Sequence, residues 1–256
     1  MKKLFSFCLC AAIIALTVFS YTHADAKGKM TASTMTAVMG AAVVRPAGKK
    51  QALLAKLRKD FPANPVIEEG ELRMEAILVN GQGEYTFRHK RTGATESSTE
   101  ILLNEQDLFV AYDAGIFLMA EDQTVKGTGT LSTYPNVTEF PDETGFVVNK
   151  HLEHIYNGRL KVVAGDTIYN NGMAVRDARF IGTAQQTSGS NRSEVCAGAG
   201  FLGITQTYKI KGTEKVDLIL KVPSDSNHKI QSNTTVKNKV VLILKGYTVT
   251  GAGFTK

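Results

Sequence analysis

KVDLILKV, Lys215–Val222, decides the fold. Val216, Leu218, Leu220 and Val222 take every second place, and Lys215, Asp217, Ile219 and Lys221 take the others. Side chains of a strand point alternately to its two faces, so this segment is a strand with one buried face. Just upstream, Ile204–Ile210 alternates in the same way. Downstream, after a polar connection at Pro223–Lys229, Lys239–Leu244 and Tyr247–Val249 make a last long strand. Ile219, Val241 and Ile243 put apolar residues on the second face as well. Strands of that kind need cover on both sides, from another sheet, a loop or a neighbouring subunit.

The period of two runs back through the chain. Leu72, Met74, Ala76 and Leu78 alternate with Glu71, Arg73, Glu75 and Ile77. Asn80-Gly81-Gln82-Gly83 follows, and then Tyr85, Phe87 and His89 alternate again, which predicts a hairpin turning at 80–83. Ile101–Leu103, Leu108–Tyr112, Gly115–Ala120 and Leu131–Tyr134 read as further short β segments, and Thr92–Ser98 as a polar loop. Leu160–Val163 and Thr167–Tyr169 form a second hairpin about Ala164-Gly165-Asp166. Asn170-Asn171-Gly172 turns the chain again, Val175–Ile181 is extended, and Gln186–Glu194 is a polar loop.

Helical spacing occurs twice. Leu53, Leu54, Leu57 and Phe61 mark a basic amphipathic helix over Lys49–Phe61, ended by Pro62 and Pro65. His151–Tyr156 reads as one or two helical turns, with Gly158 as the stop. Short strands between turn clusters, with one N-terminal helix and a short mid-chain helix, predict an all-β fold. The expected architecture is an antiparallel β-sandwich or jelly roll.

Composition narrows the class. Of 256 residues, 43% are hydrophobic and 21% charged, which suits a chain with a real core and not a disordered one. The net charge of +6 is spread along the sequence. The nearest basic cluster, Lys49, Lys50, Lys56, Arg58 and Lys59, reads as the solvated face of a helix, so no specific nucleic-acid partner is expected. Trp is absent, which counts against a sugar-stacking cleft, although eight Tyr remain.

The start has the pattern of a secretory leader. Met1-Lys2-Lys3 is a positive n-region, Leu4 to Phe19 is apolar, and Ala24-Asp25-Ala26 fits a cleavage site. The apolar run is shorter than the ~20 residues of a spanning helix. Residues 1–26 are therefore expected to be a signal peptide, 27–65 a flexible arm with the amphipathic helix, and 66–256 the β-sandwich. Cleavage would remove Cys8 and Cys10 and leave Cys196 alone in a small, apolar setting, so no intrachain disulfide is expected. The expected location is the periplasm or the exterior. A start at Met30 would instead remove the leader and leave the chain in the cytoplasm.

No motif assigns a site. His151 and His154 share a helix face with Glu153 between them, but they supply only two of the four ligands of a zinc site. His89 and His228 are placed by no motif. A Gly-x-Ser-x-Gly elbow is absent, and Gly198–Gly203 lacks the Gly-Lys-Ser/Thr of a phosphate loop. Glu68/Glu69 and Glu121/Asp122 are strand neighbours that point to opposite faces. A glycosidase pair could arise only from distant carboxylates such as Asp113 and Glu153. Sequons at Asn136, Asn191 and Asn233 carry no weight behind a leader of bacterial type. No catalytic, cofactor-binding or metal residue is assigned, and the reading is non-enzymatic.

Three fragments carry a family likeness: Leu108–Leu118, ending in Gly115-Ile116-Phe117-Leu118; Thr133-Tyr134-Pro135-Asn136; and Leu152-Glu153-x-Ile155-Tyr156-Asn157-Gly158-x-Leu160. In this order they resemble jelly-roll virion proteins of tailless phages that infect Bacteroidota, over roughly residues 65 to 186. The resemblance implies a capsid-like structural subunit with no catalytic residues. It also implies self-association, through β edges and the 27–61 arm, with a membrane surface as a further contact for that arm. The leader departs from the family's pattern, since capsid subunits assemble in the cytoplasm. The alternative expectation is an exported bacterial β-sandwich that binds a ligand or surface partner.

Overall fold

The computed structural model describes residues 45–61, 65–90, 99–125, 127, 129–133, 140–141, 144, 149–179, 200–232 and 235–250. Among these, eight strands appear: β1 (Val66–Ile77), β2 (Glu84–Phe87), β3 (Leu108–Asp122), β4 (Arg159–Ala164), β5 (Thr167–Ala174), β6 (Phe201–Lys211), β7 (Val216–Lys221) and β8 (Val236–Thr250). They pair antiparallel in two four-stranded sheets, ordered β1-β8-β3-β6 and β2-β7-β4-β5. Within the sheets β1 meets β8, β2 meets β7, β3 meets β6 and β4 meets β5. This nesting is that of one long hairpin of four strand pairs wound round on itself, which is the jelly roll. The all-β expectation holds at this level of topology.

The two sheets bury their facing sides against each other. Leu72 and Met74 of β1, Ile116 and Leu118 of β3, and Leu242 and Leu244 of β8 share one core with Tyr85 and Phe87 of β2, Leu160 and Val162 of β4, and Leu218 and Leu220 of β7. In β7 the alternation is as read, with Val216, Leu218 and Leu220 buried and Asp217 and Ile219 half-buried. The strand β3 is less simple. Phe109 and Ala111 face the core, and then Ala114, Ile116 and Leu118 do, because the register shifts between Ala111 and Asp113. A bulge at Tyr112 moves the inward set from odd to even positions. The two segments expected at Leu108–Tyr112 and Gly115–Ala120 are therefore one strand with a phase change.

Several local expectations are corrected. The hairpin predicted between 72–78 and 85–89 does not form. β1 pairs with β8 along twelve residues, and β2 pairs with β7. Asn80–Gly83 is a corner that carries the chain from one sheet to the other. There the Asn80 Oδ1 accepts the backbone N–H groups of Ile230 and Gln231 at 2.7 and 2.9 Å. Turn residues signal a reversal of direction, but they do not say which strand receives the chain. Asn170–Gly172 is not a turn but part of β5, and Val175–Ala178 is a 3-10 turn, not extended. Ile101, Leu103 and Ser132 make single bridges instead of strands. The hairpin at Ala164–Asp166 is present as β4 and β5.

Both helices are present, the first beginning four residues before the predicted Lys49. α1 (Arg45–Asp60) ends next to Phe61, whose N–H reaches the Leu57 carbonyl at 3.0 Å. Leu57 is buried, while Lys49, Lys56, Arg58 and Lys59 are exposed. A 3-10 turn at Asn149–Leu152 leads into α2 (Glu153–Tyr156), which sends Ile155 and Tyr156 into the core. Gly158 ends α2 for a different reason from the one expected. It has no positive φ; instead a Cβ there would lie 2.7 Å from the Lys221 carbonyl oxygen and 2.9 Å from that of Ile155. Only glycine fits where the helix end meets β7. The chain divides into two units, Met1–Leu53 and Leu54–Lys256, and all eight strands belong to the second. The leader, the arm before Arg45, the loop at 186–194 and Cys196 lie outside the described residues.

Candidate functional site

His151 and His154 stay neighbours, on the 3-10 turn and on α2, but the ring that His154 meets face to face is a different one. His154 is buried on α2, and its ring stacks on that of His228, from the loop between β7 and β8. The ring centroids are 4.1 Å apart and the planes 23° from parallel. The Nδ1 of His154 lies 2.6 Å from the His151 carbonyl oxygen. Burial pushes the His154 imidazole down to about 4; the bond to that carbonyl opposes the shift, and the neighbouring His228 and His151 rings add to it. Stacked rings hold their nitrogens in near-parallel planes, so their lone pairs do not converge on one ion. Glu153 is exposed. Among the described residues no group of three or more His, Cys, Asp or Glu side chains is placed to hold a metal. His89 is buried too, with its Nε2 lacking a partner, and burial followed by the Lys90 charge holds its pKa down.

The carboxylate candidates also part company. Asp113 stands opposite Lys245, on the outer face of the first sheet, whereas α2 packs its Ile155 and Tyr156 into the interior. The Asp113/Glu153 pair is not assembled. Glu69 accepts the Tyr112 hydroxyl, and Glu68 is exposed. Asp122 accepts both the N–H and the hydroxyl of Thr124, which holds its carboxyl below the usual range.

Glu121 enters a buried ionic network. Lys239 Nζ lies 2.5 Å from Glu121 and 2.7 Å from Glu75, and Arg73 lies 3.1 Å from Glu75. Thr99 donates its hydroxyl to Glu75, and the Gly127 N–H donates to Glu121 at 3.0 Å. In register Lys239 faces Ile77 on one side and Met119 on the other, so both of its bonds run diagonally, to β1 and to β3. One ammonium group thus ties three strands together. A one-residue slip of β8 would turn it into the apolar core. Burial alone would raise the Glu121 carboxyl, but the bonds from Lys239 and Gly127 hold it below the usual range. Burial alone would lower the Lys239 ammonium, and its two carboxylates raise it instead. The sequence signal was a lone lysine ahead of the apolar run Val240–Leu244, which reads as a strand end until the register is known.

Two of the three surplus apolar residues are covered by their own chain, whereas Ile219 is half-buried. Val241 and Ile243 are buried with Phe117 and Met119, and Leu131 and Phe201 pack against them. Ser132 extends the sheet beside β3, exchanging backbone hydrogen bonds of 2.8 and 2.9 Å with Leu118. Lys245 caps the patch, 3.9 Å above the Phe201 ring. These positions do not by themselves call for a neighbouring subunit. Apolar side chains do stand exposed on edge strands: Val66 (55%) and Ile77 (51%) on β1, and Ile168 (63%) on β5. No helix of the described residues is long and apolar enough to cross a membrane.

Comparison with known proteins finds no matching family model, no matching curated protein and no matching solved structure.

Proposed function

We propose that this chain is a non-enzymatic structural subunit that works by self-association, capsid-like in fold. The observation that carries the reading is the nested jelly-roll strand order closed around an apolar interior. A jelly roll that works by enclosing a ligand needs room between its sheets. Here Tyr85, Phe87, Phe109 and Ile116 are each about 1% exposed or less and occupy that space. Function is then left to the rims, faces and edges. Jelly rolls of this kind build capsids, and the fragments in Leu108–Leu160 point the same way.

Association would use the edge strands. An edge offers unpaired backbone groups, and here β1 and β5 add the exposed side chains Val66, Ile77 and Ile168. The arm at 27–61, with its exposed lysines on α1, is the second contact, to a neighbour or to an anionic membrane surface. Deleting residues 27–44 tests this. The remaining chain should keep its β spectrum and lose its assembly, and a deletion with no effect on particle size would remove the arm from the account.

The second reading is an exported β-sandwich that binds a ligand. It is favoured by a cationic recess on the outer face of the second sheet. Intact mass from the native cells separates the two origins. A chain beginning at Lys27 supports export, and one beginning at Met30 supports cytoplasmic assembly.

A further inference from the structure

The outer face of the second sheet carries a recess of about 320 Å³ lined by Asn157, Arg159, Lys161, Asn171, Lys221 and Pro223. Three cations meet there by register. Arg159 of β4 stands directly opposite Lys221 of β7. Lys161 is two residues on, on the same face, and opposite Asn171 of β5. Like charges directly across a pair of strands repel, with Cβ atoms about 5 Å apart, so the arrangement costs stability unless something neutralises it. Among the described residues the only acid bound to the group is Glu84, 3.8 Å from Lys221, and both of those side chains are at least half exposed. Among the described residues Arg159 and Lys161 have no acidic partner.

The neutral groups are set for the same job. Arg176 donates to the Asn157 Oδ1. A guanidinium can only donate, so the Asn157 amide N–H₂ is left to donate elsewhere. Gly172, at φ +144°, adds no side chain beside Arg159; a Cβ there would lie 3.4 Å from the Arg159 Cδ. The recess therefore collects a planar guanidinium, two ammonium groups and amide donors around one space, with a single half-exposed carboxylate at its rim. Guanidinium and ammonium groups together suit an anion with several oxygens.

We infer that this recess binds a tetrahedral oxyanion, phosphate or sulfate, free or as the monoester group of a larger ligand. The recess has room beyond a bare ion for the group that an ester would carry. The site does not depend on the assembly proposal, although Asn171 belongs to the β5 edge that the proposal also uses.

The test is titration of the full mature chain at constant ionic strength, by calorimetry, with sodium phosphate, sodium sulfate, glucose 6-phosphate and glucose. Saturable heat is expected with the three anions and none with glucose. Tighter binding of the sugar phosphate would assign the recess to an ester, and equal binding to the free ion. Arg159→Gln should weaken binding at least tenfold, and Lys161→Gln and Lys221→Gln several-fold each. Lys56→Gln, on α1, should change nothing. In chloride alone, Arg159→Gln should melt at the same temperature as the parent or higher, because a repulsion is removed. Non-saturable heats, or equal affinity in parent and Arg159→Gln, would overturn the inference. So would an Arg159→Gln chain that melts lower in chloride, since the cations would then be structural.

Discussion

His154 and His228 lie face to face, ring centroids 4.1 Å apart, although one is on α2 and the other in the loop before β8. The contact buries the His154 ring between α2 and the loop before β8, where a charge on it would be poorly solvated. His154 is 6% exposed, and its folded-state pKa of about 4 lies below the ordinary 6.5.

Stability should therefore fall on acidification. Above pH 6.5 His154 is neutral in both states and costs nothing. Between pH 6.5 and 4 the unfolded chain takes a proton that the folded chain refuses, so stability declines as pH drops. Below about 4 this loss levels off. Its total is on the order of 3 kcal/mol at 1.36 kcal/mol per pKa unit. Urea unfolding across this range should show the slope, and His154→Phe, which keeps a stacking ring, should flatten it. An unchanged slope would mean that another group carries the effect.

The Lys239 network makes a prediction about truncation. Lys239→Met leaves Glu121 buried without its cation and Glu75 with Arg73 alone, and should cost roughly 3–5 kcal/mol. Replacing Lys239, Glu75 and Glu121 together with Met, Leu and Leu should cost much less than Lys239→Met alone. The network also has a pH window. Glu121 is held below its ordinary 4.5, so its contribution is present above that pH and lost as pH falls. Lys239 is held above its ordinary 10.5, so its contribution is present below that pH and lost as pH rises through the raised value. Chemical denaturation of the two variants checks the ranking. Equal destabilisation by both would show that the register is not held by this charge.

The two outer faces should differ under the same substitution. Val241 is fully buried on the first sheet, and Ile219 is only half-buried on the second. Val241→Asp should unfold the chain or cost at least about 3 kcal/mol by burying an unpaired charge. Ile219→Asp should cost about 1 kcal/mol or less. Thermal melts of both distinguish a covered first sheet from an open second one. If Ile219→Asp melts normally but no longer assembles, the open face is itself a subunit contact.

How much of this could be read from the sequence depends on range. β7, the β4–β5 hairpin, α1 and α2 were legible, because each is fixed by neighbours a few residues away. The corner at Asn80–Gly83 was not, because β1 takes its partner from β8, at the far end of the chain. The bulge at Tyr112 showed only as a gap between two apolar segments. The recess left a faint trace, since Arg159 and Lys161 are spaced by two on one strand face. Its third cation, Lys221, joins them only through the β4·β7 pairing. Lys239 read only as the start of the last strand and His228 was placed by no motif, until long-range pairing brought Glu121 and His154 to them.

The central claim is self-association of a jelly-roll subunit, and particle size tests it most directly. Light scattering and electron microscopy of the chain purified from its native cells, over a range of concentrations, should show discrete large particles of uniform size. A monodisperse monomer at every concentration would contradict the account and leave a β-sandwich that acts alone, through its cationic recess.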